Sequence, residues 1–295
     1  MEKTLIGKDG YLFLINDSSS ELEVHCNNLC LVSPDLTRFD RYKDKYCITI
    51  FPNKSYVQKQ FLPEEYKPRY RPGLDCYKSY FGSRLLDGLD IVNDPDIFYK
   101  TDTHINLNGV CRIYTKWIEH VHALFGLTIP MKEIVLQQTT VNSLAELDLG
   151  IGDLTWEINL GKQILEEKSD VYWSSDSFDL LYLRYILQET SAIRLLDYAF
   201  NDCTLQYIGT RLDWVMLSKH ILYHENKDGI QKKVVFFYDS FLLSTLSLYL
   251  DIFSQTYMIK SIYSKELLDT IQPDYVFEFR CERFLIDWEK KSDKV

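Results

Sequence analysis

The 295-residue chain has no surplus of basic residues: 33 Lys and Arg stand against 43 Asp and Glu, a formal net charge of −10 at pH 7. Nucleic acid phosphates demand a basic surface, so the balance argues against nucleic acid as a partner, and anionic membrane surfaces are disfavoured by the same sign. The opening segment Met1 to Gly10 lacks the long apolar core and small-residue cleavage site of a secretory signal. Only the stretch 234–253 has the length of a membrane span. It carries Asp239, Asp251 and several hydroxyls, and a mid-span carboxylate is expensive in lipid, so it reads as a buried strand followed by a helix. Paired cysteines are missing as well. Cys26, Cys30, Cys47, Cys76, Cys111, Cys203 and Cys281 are odd in number and irregular in spacing, which suits free thiols in a reducing cytoplasm. Repeats, low-complexity tracts and Gly/Ser linkers are absent too. The expectation is one continuous domain over 1–295, with a mainly helical insertion around 131–228, the least regular region.

What is present is an ordinary globular composition, 46% hydrophobic and 26% charged, enough to bury a substantial core. Aromatics are in excess, with 21 Tyr, 16 Phe and 5 Trp. They suit flat sugar surfaces and fill cores equally well. Short apolar runs at 29–32, 47–51, 234–238 and 275–279 predict strands. The last two are continuously apolar, as strands buried on both faces are. Helices are predicted over 109–125, 178–200, 211–223 and 241–253. The first places Val110, Ile113, Tyr114, Trp117, Ile118 and Val121 on one face. Strands alternating with helices predict an α/β domain, a three-layer α/β/α sandwich around a mostly parallel central sheet.

In such sheets ligands bind beyond the carboxyl ends of the strands. The predicted strand 234–238 runs straight into Asp239-Ser240-Phe241 and then an apolar helix. Ser240 therefore stands at a strand end and a helix start, where backbone N–H groups can stabilise an oxyanion. The plainer role for a serine at such a turn is a helix cap. A nucleophilic serine needs a base. Among six histidines, His104 lies in the polar loop Thr101-Asp102-Thr103-His104 before a helix. In an extended segment, side chains two positions apart point the same way. Asp102 can then hold the His104 ring through one nitrogen while the other takes a proton, the division of labour of a Ser-His-Asp triad. His220 and His224 have the i, i+4 spacing of helical metal ligands but no His-Glu-x-x-His pattern. His25 with Cys26 and Cys30 lacks a second ligand pair for zinc, so no metal site is expected. Ser177 repeats the Asp-Ser-Phe triplet but follows a charged stretch, and capping suits it better.

These segments, in order, resemble the SGNH-hydrolase-like O-acetyltransferases typified by the alginate O-acetylation proteins. The signposts are Gly7-Lys8-Asp9-Gly10-Tyr11-Leu12-Phe13, Phe51-Pro52-Asn53-Lys54, Asp102-Thr103-His104 with Asn106 and Gly109, Gly152-Asp153-Leu154, Tyr238-Asp239-Ser240-Phe241, and 273–285 including Arg283. The resemblance implies an SGNH-hydrolase-like fold, with Ser240 as nucleophile, His104 as base and Asp102 as its orienting partner. Tyr238 stands where the family has glycine, so a bulkier residue is expected to narrow the pocket or change the oxyanion donors. Asn53 and Lys54 are expected to border the cleft, one of them with a binding or structural role, and Arg283 to sit in a structural ion pair. The implied activity is acetyl transfer to a polysaccharide or oligosaccharide acceptor, in the setting of capsule or exopolysaccharide biosynthesis enzymes. Acetyl-CoA as donor follows from a cytoplasmic location; no CoA-binding motif is visible, and no permanently bound cofactor is expected. Two alternatives stay open: an esterase using the same triad, and a non-catalytic carbohydrate-binding subunit.

Overall fold

The computed structural model describes residues 4–15, 19–27, 34–92, 97–99, 102–131, 193–199, 204–209, 221–243 and 245–286. The chain opens with a hairpin, β1 (Thr4–Ile6) antiparallel to β2 (Leu12–Leu14), followed by α1 (Glu21–Asn27). A 3₁₀ stretch (Thr37–Lys45) leads into β3 (Tyr46–Phe51), then α2 (Lys54–Val57), α3 (Leu74–Phe81), β4 (Leu85–Asp87) and the long α4 (Leu107–Phe125). Three strands follow, β5 (Ile193–Ala199), β6 (Thr204–Gly209) and β7 (Ile221–Glu225). The last part comprises β8 (Ile230–Tyr238), α5 (Ser240–Leu243), α6 (Leu246–Leu250), β9 (Phe253–Ile259), α7 (Lys265–Ile271) and β10 (Tyr275–Cys281).

Among the described residues, eight strands form one sheet in the order β4-β3-β10-β8-β9-β7-β5-β6. The first five run parallel; β7, β5 and β6 continue the sheet antiparallel. The fold is therefore mixed α/β with a mostly parallel sheet. Side chains alternate across a strand, and the core divides accordingly. Cys47, Phe51, Val234, Phe236, Tyr238, Phe277 and Phe279 join one cluster with α4, α5 and α6. Tyr46, Ile48, Ile50, Val235, Phe237 and Val276 join another with α3, α7 and the 3₁₀ stretch. Apolar burial on both faces is what the continuous runs in β8 and β10 required.

The aromatic excess is spent largely here. Trp117 lies 5.1 Å from both Tyr249 and Phe277, edge to face, and Trp117, Tyr46, Tyr77, Tyr114, Tyr238 and Tyr249 are fully buried. Edge-to-face packing favours such ring clusters beyond simple area burial.

The predicted strands at 47–51, 234–238 and 275–279 and the helix at 109–125 are present with small extensions. The helix predicted over 178–200 is contradicted at its end, where 193–199 is β5. That over 211–223 likewise ends in β7; the remainder of both lies outside the described residues, as does the strand predicted at 29–32. Short apolar runs fit either period, and pairing with β6 and β9 decides for strand. The helix predicted over 241–253 is two short helices. Thr245, with φ −135°, interrupts it, and Phe253 already begins β9.

Candidate active site

The carboxyl ends of β3, β8 and β10, adjacent in the sheet, bring Asn53, Asp239 and Glu282 to one edge. At the end of β8 the turn is fixed by Asp239. Its Oδ1 accepts from the Phe241 N–H (3.0 Å) and its Oδ2 from the Cys281 N–H of β10 (2.6 Å). A short carboxylate at a strand-to-helix turn satisfies main-chain donors that have no ladder partner. Sequence reading assigned Asp239 no such role, although its position before the helix start is a signal of it. Ser240, partly exposed, opens α5. Because α5 is a single turn, less helix dipole is aligned on Ser240 than a long helix would supply.

The loop bearing the histidine is anchored before α4 by a bridge between Phe98 and Ile105 and by the Asn106 N–H donating to the Ile97 carbonyl (2.7 Å). The Asn106 side chain caps α4 by accepting from the Gly109 N–H (3.0 Å). Gly109 is required by close approach: a Cβ there would fall 2.3 Å from the Ile105 side chain and 3.0 Å from the Ile97 carbonyl. Within the loop, buried Asp102 folds back on the chain. Its Oδ1 accepts from the His104 N–H (2.8 Å) and from the His104 ring at Nδ1 (2.6 Å). The segment is bent, not extended as the spacing argument assumed. A carboxylate only accepts, so Nδ1 carries the proton and Nε2 accepts. The Ser240 hydroxyl lies 3.0 Å from Nε2 and donates to it. The ring of Phe241 packs 4.9 Å from the imidazole. The structure thus brings Asp102, His104 and Ser240 into one hydrogen-bonded line.

Asn53 and Lys54 do not line an open cleft; both are buried. His25 donates through Nδ1 to the Tyr70 carbonyl (3.0 Å), so its Nε2 accepts from the Asn53 amide (3.1 Å). Asn53 Oδ1 accepts from the Cys281 thiol (3.1 Å) and the Arg283 N–H (3.3 Å). Asn53 therefore ties the end of β3 to α1 and to the end of β10. Asn53→Ala strands these partners and should lower unfolding free energy by about 1–3 kcal/mol, read from denaturant melts; a midpoint equal to wild type would refute the assignment. Lys54 Nζ donates to the Asp102 carbonyl (2.9 Å).

Arg283 has its ion pair, with Glu21 at 3.3 Å, and Glu21 also accepts from Ser55. Beside it Arg71 bridges Glu282 (2.6 Å) and Asp87, the latter through two hydrogen bonds. Burial alone would raise the Asp87 carboxyl, but the hydrogen bonds and charge of Arg71, helped by Lys78, hold it below the ordinary carboxylate range. At nearly fully buried Glu282, burial prevails over Arg71 and the carboxyl is raised. None of these buried groups was legible as a network in the sequence.

Tyr238 does not narrow the site. Its side chain enters the core cluster that α4 also joins, 1% exposed, and its hydroxyl has no hydrogen-bond partner among the described residues. Burial pushes that phenol well above its ordinary value. At the end of β9, Lys260 is pushed down by burial, an effect opposed by Asp239.

His224 lies in β7, so the helical spacing with His220 does not apply; His220 itself, Ser177 and Gly152-Asp153-Leu154 fall outside the described residues. Among the described residues no cluster of His, Cys, Asp or Glu is arranged to hold a metal. Cys26, Cys47, Cys76, Cys111 and Cys281 are free thiols. No helix among the described residues is long and apolar enough to cross a membrane.

Fold and site together define a mixed α/β domain with a Ser-His-Asp line at the carboxyl edge of its parallel strands. The sequence matches no protein-family model and no curated protein. Among solved structures, the chain is similar to Bacillus cereus PatB1, at 12% identity over 97% of each chain with a TM-score of 0.53. PatB1 with a sulfonyl adduct gives a TM-score of 0.55 at 12% identity, over 96% of this chain and 97% of that one. A DHHW family protein from Eubacterium siraeum is similar at 13% identity, over 97% of this chain and 93% of that one, with a TM-score of 0.55. At these identities the likeness establishes a shared fold across nearly the whole chain.

Proposed function

We propose that this chain is an O-acetyltransferase of the SGNH-hydrolase-like kind, moving an acetyl group from acetyl-CoA to a hydroxyl of a polysaccharide or oligosaccharide through an acetyl-serine at Ser240. The observation that carries the reading is His104 bridging Asp102 at 2.6 Å and Ser240 at 3.0 Å. In the first step His104 Nε2 takes the Ser240 proton as the oxygen attacks the thioester carbonyl. The carbon–sulfur bond then breaks, and the thiolate of CoA leaves with the proton held by His104. In the second, His104 takes the proton of an acceptor hydroxyl, which attacks the acetyl-serine; Ser240 leaves and recovers its proton. Asp102 remains ionised and stabilises the imidazolium in both.

The acceptor class rests on the ordered sequence signposts, and the donor on a cytoplasmic setting, where acetyl-CoA is at hand. Capsule or exopolysaccharide biosynthesis enzymes would supply the acceptor. An esterase would use the same line with water in the second step; exclusion of water from the acyl-enzyme separates the two. Incubation with acetyl-CoA should add one acetyl group to the intact protein by mass spectrometry, mapped to Ser240, and candidate glycans should discharge it with ping-pong kinetics. Discharge by water at an equal rate, unaffected by any glycan, would favour the esterase. Glycan binding with no acyl adduct from acetyl-CoA or an activated acetyl ester would favour a non-catalytic subunit.

A further inference from the structure

We infer that Lys260 is an anion-binding residue of the candidate site, holding a phosphate or carboxylate of the bound substrate beside Ser240; the inference rests on reading this edge as a substrate site. The backbone places it there. In the β8–β9 register Phe237 lies opposite Ile259, so Lys260 follows level with Tyr238, and the Asp239-Ser240 turn comes directly after. Adjacent strands stand about 4.8 Å apart, which leaves Lys260 one strand away from the turn that carries the serine. Its main chain is held as well. The Ser261 N–H donates to the Ile259 carbonyl (2.8 Å), closing a three-residue turn with Lys260 at its centre. The negative φ of Lys260 makes it the inverse form, which is common at strand ends. Buried Arg280 of β10 donates to the Ser261 carbonyl (3.2 Å) and pins that corner to the neighbouring strands.

The ammonium is short of a partner. Among the described residues it makes no hydrogen bond or ion pair, and Asp239 acts on it through charge alone. Asp239 already has both oxygens on the Phe241 and Cys281 N–H groups. Other cations near this edge are engaged, Arg71 with Glu282, Arg280 with Glu278 and Arg283 with Glu21. A wholly exposed lysine would satisfy its charge with water. Lys260 is half-buried, and burial disfavours its charged form. A cation so placed on a pinned turn gains from a bound anion, and hydrogen bonds between charged groups are the stronger ones. In the proposed reaction that anion has two sources, the phosphates of the CoA donor or a carboxylate on the acceptor sugar.

Titration calorimetry on the full chain with two matched pairs tests the inference: CoA against pantetheine, and trigalacturonate against its methyl ester. Pantetheine keeps the thiol arm of CoA without its phosphates; the methyl ester keeps the sugar without its charge. Wild type should prefer the charged member of at least one pair. Lys260→Met should cut that preference about ten- to hundredfold, the size of one charged hydrogen bond, and Lys260→Arg should keep most of it. Should the Met variant fail to fold, Lys260→Gln removes the charge and keeps a polar end, with the same loss expected. Loss in the CoA pair assigns the residue to donor phosphates, and loss in the uronate pair to an acceptor carboxylate; either supports the inference. No charge preference in wild type, or an undiminished one in folded Met or Gln variants, overturns it. Equal weakening of charged and neutral members overturns it too, because Lys260 would then serve packing alone. The catalytic reading fails separately, if neither acetyl-CoA nor p-nitrophenyl acetate acetylates Ser240 while the Lys260-dependent preference persists.

Discussion

Ser240→Ala should abolish acetyl transfer, lowering turnover on the order of 10⁴ to 10⁶-fold and eliminating the acetyl adduct. The size follows from what the substitution removes. In the proposed reaction the hydroxyl is the member of the line that forms a bond to carbon, and the 3.0 Å contact to His104 Nε2 would have no purpose in transfer without it. The fold should be indifferent. The turn at the end of β8 is braced by Asp239 through the Phe241 and Cys281 N–H groups, and the Ser240 side chain takes no part in those bonds. Ser240→Ala should therefore melt within about 0.5 kcal/mol of wild type, as substitutions outside buried networks do. Transfer surviving at more than a percent or so of wild type, by an acetyl-CoA consumption assay with an acceptor glycan, would show that another group carries the acyl chain. Loss of transfer accompanied by a collapsed melt would show instead that Ser240 is a cap.

Much of this arrangement could be read from residue order, because the candidate site sits where strand signals are strongest. The runs at 47–51, 234–238 and 275–279 are too apolar to be anything but buried, and they became β3, β8 and β10. The residues after two of them, Pro52-Asn53-Lys54 and Asp239-Ser240, then had to lie on one edge of the sheet. Asp102 and His104 were legible because their own hydrogen bonds are local, two positions apart. The contacts that tie the site together were not. Asn53 meets His25 and Arg283, and Glu282 meets Arg71, across separations that leave no periodic trace. Asn53 therefore looked like a cleft residue when it is an internal brace. The strands β5 and β7 were missed for a related reason. Their short apolar stretches fit a helical stripe as well as a pleat, and only pairing with a distant neighbour settles which forms. Tyr238 failed in a third way: a departure from a family pattern shows that a side chain must go somewhere, and the alternation of β8 sends it into the core.

Removing the carboxylate of Asp102 should be nearly as damaging as removing the nucleophile, and two substitutions separate its duties. Asp102→Ala loses the acceptor for the ring and the charge beneath it, and a fall in kcat of about 10⁴-fold is expected. Asp102→Asn is the more informative. In a triad where the amide can rotate, its NH₂ turns toward the ring, Nε2 takes up the proton, and the base can no longer accept from serine. Here Oδ1 also accepts the main-chain N–H of His104 at 2.8 Å, a donor that a rotated amide would face with its own NH₂. The main chain thus holds an amide oxygen toward Nδ1 and preserves the tautomer, leaving loss of charge as the principal defect. Asp102→Asn should accordingly retain more activity than Asp102→Ala, with a deficit on the order of 10² to 10³-fold, the lesser part of the 10⁴ that a wrong tautomer brings. Rates of acetyl-Ser240 formation under single turnover, compared across both variants, measure the difference directly. Equal losses would mean that the main-chain bond does not direct the amide, and activity near wild type in either variant would remove Asp102 from the proton-transfer line.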